Sequence, residues 1–221
     1  MALKTEYSPK GKFVYPKFLV ADTKFDAEGI YSVKLILDAE AAGSFIEKID
    51  AAIEASYQDA LEKAETPAKK KKVKKADAPY SEVLDDDGNE TGEIAINFKL
   101  KAKGKNSKTG ETWDNSVKIY DARGRVIAGA KRKALKIGSG TVGKIAFQMN
   151  PFFTAQVGAG VSLRLLGAQI IELVEFGGGD LAFGAEEGGF DADDMEDGFG
   201  DESGEDQSDD GDDAGDDEED F

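Results

Sequence analysis

Apolar and polar residues alternate in several short segments of the first 176 residues, and one long stretch has a different period. Phe13 to Val20 is rich in aromatic and β-branched residues, which predicts a strand, and Pro16 puts that strand on an edge or beside a bulge. Asp26 to Gly29 has turn chemistry, and Ile30 to Leu37 predicts a second, at least half-buried strand, so the two form an opening hairpin. From Asp38 to Glu65 the period changes. Phe45, Ile49, Ile53, Tyr57 and Leu61 recur every fourth residue, flanked by Ala52 and Ala60. That stripe predicts an amphipathic helix over about residues 39–65, packed on a core. Asp38 is a candidate N-cap, Gly43–Ser44 offers a rival start, and Thr66–Pro67 ends the helix.

The period of two returns at Glu93. Ile94, Ile96, Phe98 and Leu100 make an apolar face, while Ala95, Asn97, Lys99 and Lys101 make one that becomes cationic along the strand. Further strands are predicted over residues 115–121, 144–149 and 161–174, the last bent near Gly167. The connections read as a lysine-rich loop over 68–79, mobile because like charges so close together resist ordering, a turn at Asp85–Asn89, a loop at 105–110 and a basic turn at 122–125. Five to seven strands with one intercalated helix predict a mainly β fold. A small barrel removes most sheet edges, and the oligonucleotide-binding barrel (OB-fold), five strands in a Greek key, tolerates an inserted helix.

Charge then divides the chain. All 28 lysines and arginines lie in residues 1–176, whereas the 45 acids split into 24 there and 21 after, so the formal −17 is a body of +4 joined to a tail of −21. Residues 1–176 are read as one domain with a real core. Residues 177–221 are read as a disordered acidic tail, because their acids repel one another and their few apolar residues have no period. A cationic body suits phosphates, and a tethered polyanion can occupy the same surface.

Absences narrow the chemistry. With no cysteine there is no disulfide or thiolate metal site. With no histidine the commonest general base and metal ligand are gone. The N-terminal residues lack the apolar run of a signal peptide, and no stretch is long enough to span a membrane, so a cytoplasmic protein is expected. Gly138 to Lys144 satisfies G-x-G-x-x-G and falls one residue short of a phosphate-binding loop. Ile145 stands where Ser or Thr would hold magnesium, and a strand-like segment follows where a helix is needed. It reads as a flexible hairpin loop. Asp85, Asp87 and Asn89 begin a calcium-loop pattern that fails at Glu90, where glycine is required. No acid/base or nucleophile set emerges, so no enzyme and no cofactor are expected.

The positive case is basic and aromatic. Lys99, Lys101, Lys103, Lys105 and Lys108 line a strand and its loop; Lys118, Arg123 and Arg125 follow, then Lys131, Arg132, Lys133 and Lys136. Trp113, Tyr120 and the pair Phe152–Phe153 are interleaved, and Tyr15 stands in the first strand. Cations neutralise phosphates without sequence preference, and aromatic faces stack on unpaired bases. For any single lysine, a solvated surface charge is the favoured reading, and for Phe152–Phe153 exposure and stacking are. An acidic-tailed module that binds basic proteins, chaperone-like, is the alternative reading.

Several segments resemble the bacteriophage T7-type single-stranded DNA-binding protein family. The strongest stretch runs from Ile96-Asn97-Phe98-Lys99 to Gly179 and contains Val117–Arg125, Ile137–Gly140 and Val157–Leu163 in family order; Gly29–Leu35 adds an N-terminal match, and the acidic tail ends Glu219-Asp220-Phe221. The resemblance implies an OB-fold with an inserted helix and a protein that coats single-stranded DNA and promotes annealing. It implies a homodimer in the cytoplasm of the infected bacterial host. It also implies that the tail end, Asp216, Asp217, Glu218, Glu219, Asp220 and Phe221, contacts the phage DNA polymerase and primase-helicase. Where the family has a tyrosine and a tryptophan after a proline in its groove, this chain has Phe152 and Phe153 after Pro151, which keeps stacking and loses the polar contacts.

Overall fold

The computed structural model describes residues 3–24, 26–106 and 109–175. In chain order its elements are β1 (Glu6–Tyr7), β2 (Gly11–Asp22), β3 (Ile30–Asp38), α1 (Ala39–Lys63), α2 (Pro67–Lys70), β4 (Tyr80–Leu84), β5 (Glu90–Lys101), β6 (Lys103–Lys105), β7 (Thr112–Asp114), β8 (Lys118–Tyr120), α3 (Gly129–Ala134), β9 (Val142–Thr154) and β10 (Gly158–Glu172). The tail over 177–221, with its expected disorder and its partner-binding end, lies outside the described residues, as does Lys108.

Five strands close on themselves. β2 runs antiparallel to β3, β3 to β5, β10 to β9 and β9 to β2, while β5 and β10 run parallel. That closed order is the OB-fold expected from the alternation. The apolar faces point inward: Phe13, Leu35, Ile96, Phe98, Ile145, Phe147 and Leu165 are fully buried. The α1 stripe covers this core. Phe45 meets Phe147 edge-on with ring centres 5.4 Å apart, and Phe147 meets Phe98 at 5.2 Å, a geometry that the ring quadrupoles favour.

Pro16 acts as its position required. The β2–β3 register shifts between Val14 and Lys17, and Tyr15 adopts φ 49°. A non-glycine residue in that region is strained, and the Tyr15 amide is caught by the Ser139 hydroxyl at 3.0 Å. Likewise β10 carries a register shift between Leu165 and Gly167, at the expected bend.

Several expectations change. The helix ends at Lys63, and Asp38 occupies its N-cap position without a side-chain cap bond. The lysine-rich connector contains a helical turn, α2, capped by the Thr66 hydroxyl, and then rejoins the barrel through a bridge between Lys75 and Ala159. Pairing overcomes charge repulsion there. On either side of the loop expected at 105–110, β6 and β7 pair antiparallel, and the strand expected over 115–121 shortens to β8. Residues 129–134, unassigned from sequence, form α3. The Gly138–Lys144 segment is laced to its surroundings rather than flexible. Gly140 donates its amide to the Phe13 carbonyl, and the buried Thr141 hydroxyl exchanges bonds of 3.1 Å with the Val174 backbone. Asp85 accepts bonds from the Asp87 and Asn89 amides, which makes the acidic tip a self-contained turn. No described helix is long and apolar enough to cross a membrane.

β4 is tied to α1 by a bond from the Tyr80 hydroxyl to Asp50, 2.7 Å long. Burial, and then this bond to a carboxylate, push the phenol up to about 12. The raised value stabilises the fold fully below the ordinary tyrosine range and is lost as pH rises through about 12. In an ultraviolet titration Tyr80 should therefore be the last described tyrosine to ionise. Tyr80→Phe should remove that late step, and a titration unchanged by the substitution would contradict the assignment.

Candidate functional site

The outer face of the barrel gathers cations because inward and outward residues alternate. On β5 the even positions fill the core, so Lys99 and Lys101 point out. Register then chooses their neighbours: Lys99 lies beside Ser32 of β3 and beside Arg164 of β10, and Lys34 lies opposite Asn97. The β6–β7 hairpin rises at the end of β5 and adds Lys103, Lys105 and Trp113. β9 contributes Asn150 and Phe152. Together these line an open groove of about 1000 Å³. Glu28 and Asp77 are its acids, and Lys101 reaches Asp26 at 3.7 Å. Among the described residues, Lys34, Lys99, Lys103, Lys105 and Arg164 have no carboxylate within ion-pair distance. Five uncompensated cations around one hollow make an anion-attracting field.

Trp113 is pre-positioned. Its indole lies across Gly104, where a β-carbon would overlap the ring. The indole N–H donates to Asn115 Oδ1 at 3.2 Å, and Asn115 in turn donates to the Lys101 carbonyl at 2.9 Å. One face of the ring is backed by the hairpin while the residue stays 48% exposed. Phe152 is half buried at the other side of the groove, and the Ser56 hydroxyl of α1 donates to its carbonyl at 3.2 Å.

A second hollow of about 700 Å³ adjoins the groove, sharing Asn115 and Arg164 with it; Tyr7, Lys118, Tyr120 and Lys144 line it. Phe153, 51% exposed, faces a third hollow beside α1. The expected set is thus divided. Lys99, Lys101, Lys103, Lys105, Trp113 and Phe152 share the groove, with Lys118 and Tyr120 next door. Tyr15 lies elsewhere, in a separate hollow with Lys17 and Lys136. Arg125 is forked to Asp121 at 2.7 and 2.8 Å, and the Arg123 and Arg125 amides donate to the same carboxylate. The Arg125 amide, then its side chain, hold the Asp121 carboxyl below the usual range. Arg132 donates to the carbonyls of Val117 and Phe18, which makes it a brace between β2 and the residue that precedes β8. Lys131 and Lys133 sit on α3 and line none of these hollows. Sequence reasoning missed Lys34, Arg164 and Tyr7. Only the outward parity of Lys34 and Arg164 on their strands could have flagged them.

Over residues 8–173 the chain matches the family model for the single-stranded DNA-binding protein of bacteriophage T7. The chain belongs to that family. It is 29% identical to the single-stranded DNA-binding protein of enterobacteria phage T3 over 171 residues, covering 74% of this chain and 72% of the relative. The crystal structure of gp2.5, a single-stranded DNA-binding protein encoded by bacteriophage T7, superposes with a TM-score of 0.65 at 26% identity, over 86% of this chain and 100% of that one. The single-stranded DNA-binding protein of bacteriophage Enc34, solved in complex with single-stranded DNA, shares the fold with a TM-score of 0.54 at 14% identity, over 77% of this chain and 88% of that one. Members of this phage family are binding proteins, not enzymes.

Gly104→Ala should lift the Trp113 indole off its hairpin. The expected result is a changed emission maximum and lower fluorescence anisotropy of Trp113, with the barrel's melting temperature nearly unchanged. An unaltered emission spectrum would show that Gly104 does not seat the ring.

Proposed function

We propose that the chain coats single-stranded DNA without sequence preference, along the groove bounded by Trp113 and Phe152. The observation that carries this is the juxtaposition of uncompensated cations at Lys99, Arg164 and Lys34 with two aromatic faces in one open hollow. Phosphate contacts carry no sequence information. Stacking tolerates any base but needs it unpaired, so a groove combining the two selects single strands. Lys118, Tyr120 and Lys144 in the adjoining hollow extend the path past Arg164. A strand held extended, its phosphates neutralised, repels its complement less and keeps fewer hairpins, which favours annealing.

The acidic residues 180–221 compete with DNA for the same cations. When displaced they offer Asp216, Asp217, Glu218, Glu219, Asp220 and Phe221 to basic faces of the phage DNA polymerase and primase-helicase. The protein works as a homodimer in the host cytoplasm during replication and recombination. The family membership and the charge division of the chain support this part of the reading.

Trp113 fluorescence titrated with oligo-dT at two salt concentrations tests the core claim: quenching should weaken steeply as salt rises. Phe152→Ala should weaken binding by about 1–3 kcal/mol, the scale of one lost stack, and leave the salt slope unchanged. Lys99→Gln should instead lower that slope by about 0.7, the single-strand value for one lost phosphate contact. No quenching or binding at low salt would overturn the reading.

Removing residues 180–221 should tighten oligo-dT binding most at low salt, because a tethered competitor acts at roughly millimolar effective concentration. Weaker binding after truncation would refute internal competition. Pull-down of the polymerase should disappear in the same variant.

A further inference from the structure

The lysines of the connector line no part of the groove, yet the segment that carries them is built into the barrel. After α2, the Lys74 carbonyl accepts from the Ala159 amide at 2.8 Å, and the Ala76 amide donates to the Ala159 carbonyl at 2.8 Å. Lys75 pairs with Glu54 of α1 and lies 5.5 Å from the centre of the Tyr57 ring. Glycines allow the approach. A β-carbon on Gly158 would overlap the Lys74 carbonyl, and one on Gly160 would press on Ala76 and Phe152.

This pinning leaves a cleft of about 550 Å³ between α1, the connector and the end of β9. Its floor is apolar, with Ala60, Val73 and Phe153. Its rim carries Lys63, Lys69 and Lys72. Lys63 and Lys69 are engaged with Asp59 and Glu65, but these are exposed i,i+4 pairs on a helix or its margin, which are weak and yield to a competing anion. Lys72 has no ion-pair partner among the described residues. Phe152 walls both this cleft and the cationic groove.

We propose that the cleft is a second subsite for single-stranded DNA. A strand leaving the groove crosses Phe152, sets its next base on Phe153 and Val73, and lays its phosphates along Lys69 and Lys72. An apolar floor with a cationic rim matches a nucleotide, whose base face is apolar and whose phosphate is charged. Continuity through Phe152 selects the same strand over a separate ligand. The inference rests on the DNA-binding reading above and adds length to its path.

The full chain carrying Lys69→Gln and Lys72→Gln tests it, since both side chains are at the surface and their loss leaves the core untouched. Binding is measured against oligo-dT of increasing length, over about 4–16 nucleotides, the span of OB-fold site sizes. The shortest oligonucleotides should bind the variant and the parent protein equally. The longest should lose roughly tenfold, with the salt slope lower by about 1.4 for two lost single-strand phosphate contacts. The same affinity as the parent at every length, or the same loss at every length, would overturn the subsite. So would tighter binding by the variant, which would mean that the acidic residues 180–221 occupy the cleft. Failure of the parent protein to bind any oligonucleotide is a different outcome and removes the groove reading itself.

Discussion

The parallel pairing of β5 with β10 closes the barrel and in the same step sets Lys99 beside Arg164. Adjacent like charges on a sheet face are unfavourable, and nothing in the fold requires cations at these two outward positions. Apolar burial on the inner face, from Phe98 and Leu165 on the same two strands, is what holds them together. The inner face therefore sustains an outer face whose repulsion is relieved when an anion arrives. Under the proposed binding, the groove's affinity for phosphate and the repulsion between Lys99 and Arg164 share one cause.

The inserted helix connects these two faces. Phe45, Ile49 and Ile53 bury one stripe of α1 on the core, and Phe45 packs on Phe147 of β9. Farther along the same helix, Ser56 binds the Phe152 carbonyl and Glu54 holds Lys75 of the connector. A helix anchored by its buried stripe thus fixes an aromatic wall through Ser56 on that same stripe and a cationic strap through the more exposed Glu54. Side chains held by packing and neighbouring bonds lose less freedom on binding than mobile ones. Trp113 has the same advantage by a different route, through Gly104 and Asn115.

The sequence was most legible where burial imposes a period. The four-residue stripe of α1, the alternation of β5 and the bend of β10 all follow from which side faces the core. Short elements carry no such period, so the β6–β7 hairpin and α3 escaped notice. The site was legible only in part, because partners across a sheet depend on register, which a one-residue slip reverses. Lys99 could be read as outward, but its neighbour Arg164 lies 65 positions later in the chain and meets it only through the β5–β10 register. The arginines show the opposite failure. Arg125 and Arg132 look like free cations in the sequence, yet a local carboxylate claims one and two backbone carbonyls claim the other. Tyr15 was drawn into the expected site by its aromatic character, whereas the bulge at Pro16 points it into another hollow.

A net charge of −17 taken as a whole opposes holding a polyanion, and the distribution of that charge resolves the difficulty. Exposed charges more than a Debye length apart, about 8 Å at physiological salt, are largely screened from one another. What an approaching phosphate senses is therefore the groove, not the molecular total. Under the proposed competition, a tail with 21 acids and few aromatic residues matches DNA in charge but not in stacking. Duplex DNA offers phosphates with its bases already paired, so it gains little over the tail. A single strand adds base stacking on Trp113 and Phe152 and so has the advantage. The polyanion would then raise the threshold for every ligand while leaving the one with unpaired bases ahead, turning a sequence-blind electrostatic groove into one that discriminates by strandedness.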